Sequence, residues 1–117
     1  MPSSLAIDGS SLTLQAVVDV ARFHRRVELA DSARAAMQCS YAWVQQAAQD
    51  DQPVYGVNTG FGSLARVRID PAHSSLLSLN LIRSHAAGVG PILPVAETRA
   101  MMLLRANALA KGVSGCR

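Results

Sequence analysis

The chain has 117 residues, of which 50% are hydrophobic and 16% charged, and its mean hydropathy is +0.18. This length suits one domain, and the apolar content excludes a disordered polar chain. The net charge of +3 is small, and the only tight basic cluster is Arg22, Arg25 and Arg26. Nucleic-acid binders usually combine a concentrated basic face with aromatic side chains. We therefore interpret this cluster as a solvated helix end and expect no nucleic-acid partner.

The sequence shows no targeting or membrane-spanning segment. Residues 1–4 lack the basic start and apolar core of a signal peptide, and arginines interrupt the longest apolar stretches. Cys39 and Cys116 are too few and too far apart for a disulfide scaffold or a zinc site. We therefore expect a reduced, cytoplasmic protein with no metal site and no membrane contact.

The first half of the chain predicts two short extended pieces and two helices. Residues 5–7 and 27–29 are the extended pieces, and the spacing of apolar residues predicts a helix over 13–23 between them. A longer helix is predicted from Asp31 to about Gln49. Its apolar stripe comprises Ala33, Ala36, Met37, Ser40, Val44, Ala47 and Ala48. The opposite face carries Arg34, Gln38, Gln45 and Gln49.

Two more helices are predicted in the second half, so the fold class is mainly α. The Asp-Pro pair at 70–71 begins a helix that the glycines and proline of 88–91 end. The last helix is predicted from about Val95 to Lys111, with Gly112 just beyond its end. Its centre, residues 100–104, is apolar almost all round, which predicts burial inside a bundle or at an interface.

A glycine-rich segment, residues 53–63, separates the second and third predicted helices. Its core, Tyr55-Gly56-Val57-Asn58-Thr59-Gly60-Phe61-Gly62, holds three glycines in eight residues and predicts neither a stable helix nor a regular strand. The segment contains no lysine and follows no buried strand, which excludes a Walker loop and a dinucleotide-binding turn. A lid that closes over a substrate and an ordinary connector both remain open from composition.

His85 lies one turn before the glycine break, in the segment Asn80-Leu81-Ile82-Arg83-Ser84-His85-Ala86-Ala87-Gly88-Val89-Gly90. A histidine near a helix end can be a satisfied structural residue, or it can donate to or accept from a ligand near neutral pH. The residues alone favour the structural interpretation.

Together, segments 55–62 and 80–90 resemble the N-terminal part of the aromatic amino-acid ammonia-lyases, and within that family the histidine-specific bacterial enzymes. The resemblance extends from Leu5 to Gly115, and the tyrosine loop is its most specific element. It implies that residues 1–117 form a single N-terminal segment of a longer chain, mainly α-helical, with an active-site loop between helices.

The resemblance also implies an activity, the elimination of ammonia from L-histidine to give urocanate. The family uses a 4-methylideneimidazole-5-one electrophile formed from an Ala-Ser-Gly triplet. No such triplet occurs in these 117 residues, so this chain alone is expected to be inactive. By resemblance Tyr55 is the base, although a phenol with a pKa near 10 is a poor base unless its surroundings lower that pKa.

Binding roles and partners follow from the same resemblance. His85 is expected to recognise the substrate ring, and Gly60 to let the loop backbone approach the substrate. The remaining loop residues of the expected site are Gly56, Asn58, Thr59, Phe61 and Gly62. The expected partners are an amino-acid substrate, the remainder of the same chain, and identical subunits in a homotetramer.

Two residues depart from the family pattern, and two alternative functions stay open. Ser78 stands where the family usually has glutamine, and Cys116 where an aliphatic residue is usual. A histidine at position 85 also appears in tyrosine-type lyases and some aminomutases, so a tyrosine or phenylalanine substrate stays open. The other alternative is a non-catalytic helical interaction module.

Overall fold

The structure is a computed structural model that describes residues 3–116. The chain divides into two units. The first comprises residues up to 42 together with residues from 92 onward, and the second comprises residues 43–91. Within the described range, no helix combines the length and apolar character needed to cross a membrane.

The first unit begins with two short parallel strands joined by a helix. Strand β1 (Leu5–Ile7) pairs with strand β2 (Val27–Leu29), and Leu5 lies opposite Val27. Helix α1 (Leu14–Phe23) connects them. It begins where the Thr13 hydroxyl accepts a hydrogen bond from the backbone N–H of Ala16 at 3.2 Å, which satisfies one of the free donors at a helix start. Both predicted extended pieces and the helix between them are confirmed.

Helix α2 (Asp31–Gln49) confirms the predicted amphipathic pattern. It belongs to the first unit up to residue 42 and to the second from residue 43. Every member of the predicted apolar stripe is buried or half-buried, and every named residue of the polar face is exposed. The helical period of 3.6 residues thus predicts correctly which side chains of α2 are covered, because one stripe packs while the other faces solvent.

Helix α4 (Val95–Leu109) packs on α1 in the first unit. Leu103 is buried there in a core with Ile7 and Val20. The Arg99 Nε donates to the carbonyl of Val20 at 3.2 Å, which ties the two helices together. Only one face of α4 packs within the unit. Leu103 is buried there, whereas Met101, Met102 and Leu104 are exposed, and their burial at an interface stays a prediction.

The second unit contains the end of α2, the glycine-rich segment and helix α3 (Ser74–His85). The predicted helix start at Asp70 and Pro71 is a 3₁₀ turn over Pro71–His73, which leads directly into α3. The Asp70 carboxylate accepts from the backbone N–H of Ala72 at 2.9 Å.

Candidate functional site

Asn58 is the centre of the hydrogen bonding in the glycine-rich segment. Its side chain is buried, with the residue only 3% exposed. The amide oxygen accepts from the backbone N–H of Val54 at 2.7 Å. The amide nitrogen lies 2.9 Å from the carbonyl oxygen of Gln52 and 3.3 Å from those of Ala47 and Asp50. A single side chain therefore connects the end of α2 to the start of the loop.

Thr59 and Gly60 continue this buried stretch. Thr59 is 0% exposed, and its hydroxyl donates to the carbonyl of Gly60 at 3.0 Å and accepts from the N–H of Gly56 at 3.3 Å. The N–H of Gly60 donates to the carbonyl of Val67 at 3.1 Å. A Cβ added to Gly60 would lie 2.6 Å from the Cβ of Leu64. Only glycine fits at this position without a shift of its neighbour.

Tyr55 and Phe61 stand on either side of the buried stretch. Tyr55 is 63% exposed, and its ring meets that of Phe61 edge to face, with centroids 5.7 Å apart and planes at 75°. Gly56 has φ +78°, a conformation that glycine adopts readily and that turns the chain directly after Tyr55. The segment thus exposes the phenol of Tyr55 to solvent, next to a buried and hydrogen-bonded stretch of the same loop.

A cavity of about 300 Å³ lies within the second unit, bordered by α2, the loop and α3. Gly56, Val57 and Phe61 border it from the loop, and Leu77 and Leu81 are among its apolar residues on α3. Its polar lining is uncharged and consists of Gln45, Gln49, Ser74, Ser75 and Ser78. Ser78, one of the two departures named in the sequence, therefore lines this cavity with a short side chain.

His85 is exposed at the last position of α3 and hydrogen-bonds within its own helix end. Its Nδ1 lies 3.0 Å from the carbonyl oxygen of Leu81 and 2.9 Å from the hydroxyl of Ser84. A carbonyl oxygen only accepts, so this geometry favours the tautomer with the hydrogen on Nδ1. In the neutral ring, Nε2 is then left as a hydrogen-bond acceptor.

The structure brings some of the predicted site residues together. Gly56 and Phe61 line the same cavity, and Phe61 contacts Tyr55, whereas His85 is not among the residues lining that cavity. Sequence reasoning named Asn58 as a loop residue but missed its hydrogen bonds. The available signal was its residue type, because an amide offers two donors and one accepting oxygen in a single short side chain. Among residues 3–116, no cluster of His, Cys, Asp and Glu is arranged to hold a metal ion.

Comparison with known proteins places these features in a family. The family model "Aromatic amino acid lyase" matches residues 12–117. The chain is 50% identical over 113 residues to histidine ammonia-lyase of Myxococcus xanthus and 53% identical over 114 residues to that of Anaeromyxobacter dehalogenans. Each alignment covers 97% of this chain and 22% of the relative.

A solved structure supports the same assignment. Tyrosine aminomutase from Streptomyces globisporus matches with a TM-score of 0.87 at 38% identity, over 93% of this chain and 21% of that one. The chain thus spans about a fifth of the length of these relatives. The match of the family model over most of the sequence shows that the chain belongs to the aromatic amino acid lyase family.

Proposed function

We propose that the chain is the N-terminal segment of an ammonia-lyase that eliminates ammonia from L-histidine to give urocanate. The observation that carries the proposal is the exposed phenol of Tyr55 beside a buried, hydrogen-bonded stretch at Asn58 and Thr59. A catalytic base must be both accessible to substrate and held in place. The histidine ammonia-lyases that the chain resembles support the choice of substrate.

Tyr55 acts as the base in this proposal. Its phenol oxygen takes the β-hydrogen of the substrate as a proton, and the electrons of that carbon–hydrogen bond form the double bond of the product as ammonia leaves. The reaction needs an ionised phenol, because a neutral hydroxyl has little capacity to accept the proton. The exposure of Tyr55 leaves room for the substrate and for groups outside this sequence.

His85 and Gly60 complete the proposed substrate contacts. With its hydrogen on Nδ1, His85 offers Nε2 as an acceptor for the N–H of an imidazole ring. Gly60 contributes by letting the loop backbone come close to the substrate, while its own N–H and carbonyl stay bonded to Val67 and Thr59. Its lack of a side chain also has a reason within the chain, because Leu64 occupies the adjacent space.

The family electrophile, 4-methylideneimidazole-5-one, supplies the activation that the departure of ammonia requires. In this proposal it forms outside the 117 residues, which contain no Ala-Ser-Gly triplet. The residues present fit one part of such a site, since the exposed phenol of Tyr55 can serve as base. The active protein is the longer chain, of which residues 1–117 form one N-terminal segment. We further propose that it is a cytoplasmic protein that assembles as a homotetramer, and sedimentation of the full-length protein would test the assembly.

The test of the base compares two tyrosine variants in the full-length protein, with urocanate formation followed by ultraviolet absorbance. We expect Tyr55→Phe to lower turnover by about 100-fold or more, because general acid–base groups typically contribute at least that factor. The matched control is Tyr41→Phe, because Tyr41 is half-buried in the first unit. Turnover close to wild type in Tyr55→Phe would remove Tyr55 from the mechanism.

A second test addresses ring recognition. We expect His85→Leu to change the ratio of kcat/KM values for histidine and phenylalanine, because leucine offers no hydrogen bond to an imidazole. His73→Leu is the control, since His73 is also exposed and lies near the opposite end of the same helical segment. An unchanged ratio would make His85 a structural residue.

One observation favours a second candidate, an enzyme of the same family that acts on tyrosine or phenylalanine. The observation is the structural similarity to a protein named tyrosine aminomutase, whose name refers to a phenol-bearing amino acid. Assays of the full-length wild type with histidine, tyrosine and phenylalanine distinguish the two. Product from tyrosine or phenylalanine, with none from histidine, would replace the first proposal by the second.

A further inference from the structure

We propose that Asn58 is a positioning residue that holds Tyr55 at its working location by joining the loop to the end of α2. The inference rests on the proposed role of Tyr55 as the base. It goes further because it assigns the placement of the exposed Tyr55 side chain to the buried amide of Asn58. Three features of the structure support it: the bonds that Asn58 makes, the way they close the tip of the loop, and the support from Thr59.

The bonds of Asn58 need the chemistry of an amide. Its oxygen accepts from the N–H of Val54, and its nitrogen faces three carbonyl oxygens, those of Ala47, Asp50 and Gln52. The carbonyl of Ala47, in the last turn of α2, also accepts from the N–H of Asp50 at 3.2 Å. The carbonyls of Asp50 and Gln52 follow the end of α2, and the Asn58 amide donates to them there. Aspartate would supply acceptors only, whereas serine would supply one donor on a shorter side chain. Asparagine meets both requirements at once.

These bonds close the stretch that carries Tyr55 at both ends. The carbonyl of Val54 accepts from the N–H groups of Val57 at 3.0 Å and Asn58 at 3.3 Å. The N–H of Val54 in turn donates to the Asn58 side chain at 2.7 Å. Residues 55–57 therefore form a three-residue tip whose two flanking residues are bonded to each other. The location of the Tyr55 Cα consequently depends on Asn58.

Two further hydrogen bonds, one to the Asn58 backbone and one to the Thr59 side chain, support this arrangement. Its carbonyl accepts from the N–H of Ile69 at 2.7 Å, which closes the second part of the loop. Thr59, next in sequence, accepts from the N–H of Gly56 and so supports the tip directly behind Tyr55. A displacement of a catalytic group by about 1 Å can cost about 100-fold in rate. Loss of the Asn58 bonds is therefore expected to reach the chemistry through Tyr55.

The first experiment measures the anchor without relying on activity. Hydrogen exchange of the full-length protein, followed by mass spectrometry, is compared for wild type, Asn58→Ala and Asn58→Asp. We expect both variants to speed exchange over residues 53–60 by about tenfold or more. Alanine removes the acceptor of the Val54 N–H and the donor that faces the three carbonyls, whereas aspartate keeps that acceptor but turns a carboxylate toward the carbonyls. Exchange over α1 is expected to stay unchanged. The control is Gln46→Ala, which removes an exposed amide from the same unit. Unchanged exchange over 53–60 in both Asn58 variants would overturn the anchor.

The second experiment distinguishes positioning of Tyr55 from general destabilisation. The turnover of Asn58→Ala is measured alone and in the Tyr55→Phe background. A residue that acts through Tyr55 is expected to lower kcat by about tenfold or more alone and to add less than about twofold once Tyr55 is absent. Equal losses in both backgrounds would overturn the positioning role.

The outcomes separate this inference from the proposed function. A full-length wild type that forms product from no aromatic amino acid would refute the lyase and with it the role at Tyr55. The exchange result would still decide the anchor. A lyase that loses activity in Tyr55→Phe but not in Asn58→Ala would keep the proposed function and refute only the inference.

Discussion

The close approach of Gly60 to Leu64 makes Gly60→Ala a sharp test of how the loop is packed. The new Cβ would lie 2.6 Å from the Cβ of Leu64 and 3.0 Å from its carbonyl oxygen. Carbon atoms normally approach to about 3.5–4.0 Å, so relief requires a shift of roughly 1 Å. Both blocking atoms belong to the backbone or lie next to it, so a rotamer change cannot relieve the contact. The 3₁₀ turn Gly62–Leu64 has to move.

The expected cost follows from two opposing effects. Overpacking typically costs about 1–3 kcal/mol, while alanine reduces the entropy of the unfolded chain by about 0.4–1 kcal/mol relative to glycine. The net local destabilisation is therefore about 1–2 kcal/mol, which corresponds to roughly 5–30-fold faster exchange of protected amides. The Gly60 and Ile69 amides report it, because both donate within the loop.

The matched control for this prediction is Gly88→Ala. Gly88 has open space around the site of a Cβ and no positive φ, so the same substitution there should leave exchange in the loop unchanged. Gly62→Ala tests backbone strain instead of steric contact, since the surroundings of Gly62 are also open but its φ is +58°. Unchanged exchange in Gly60→Ala, or an equal effect in Gly88→Ala, would refute the steric argument.

Two further predictions concern the first unit. Gly112→Ala should lower the midpoint of thermal unfolding more than Gly60→Ala does, because its φ is +71° and its Cβ would lie 2.5 Å from the Cβ of Ala36; an equal or smaller shift would contradict this. The N–H groups of Ser10 and Ser11 lower the pKa of the Asp8 carboxyl to about 2. Since its ordinary value is 3.8, the stabilisation from Asp8 is complete above about pH 4 and is lost as the pH falls toward 2. The midpoint difference between wild type and Asp8→Asn should therefore shrink over that range, and a difference independent of pH would contradict the prediction.

The sequence predicted those parts of the fold that depend on local pattern. The stripe of α2 from Ala33 to Ala48 follows a regular helical period, and its buried face was identified residue by residue. The pattern was less informative for α3, because two adjacent lines of apolar residues both have helical spacing. One line runs through Leu76, Leu79 and Ile82, and the other through Leu77 and Leu81. There Leu77 and Leu81 are half-buried, whereas Leu76, Leu79 and Ile82 are exposed. Period alone does not say which of two apolar lines meets a neighbour.

The candidate site depends on contacts that no local pattern contains. The Asn58 bonds arise because the turn after α2 brings three carbonyls to one buried amide. The short antiparallel bridge between Thr59 and Arg68, and the ion pair between Arg68 and Asp51, also join residues that are distant in sequence. The ion pair is exposed, so its own contribution to stability is about 1 kcal/mol at most. The closure of the loop rests on the buried hydrogen bonds instead.

Burial divides the glycine-rich segment into two kinds of residue. Asn58, Thr59 and Gly60 are buried, and their side chains or backbone atoms are engaged within the chain. Tyr55 lies outside this group and is exposed. A buried group that has used its hydrogen bonds cannot bind a ligand without breaking them, whereas an exposed phenol on a fixed support can. The motif therefore combines a buried, hydrogen-bonded support with an exposed tyrosine, which is the arrangement that the proposed role of Tyr55 requires of a segment with three glycines.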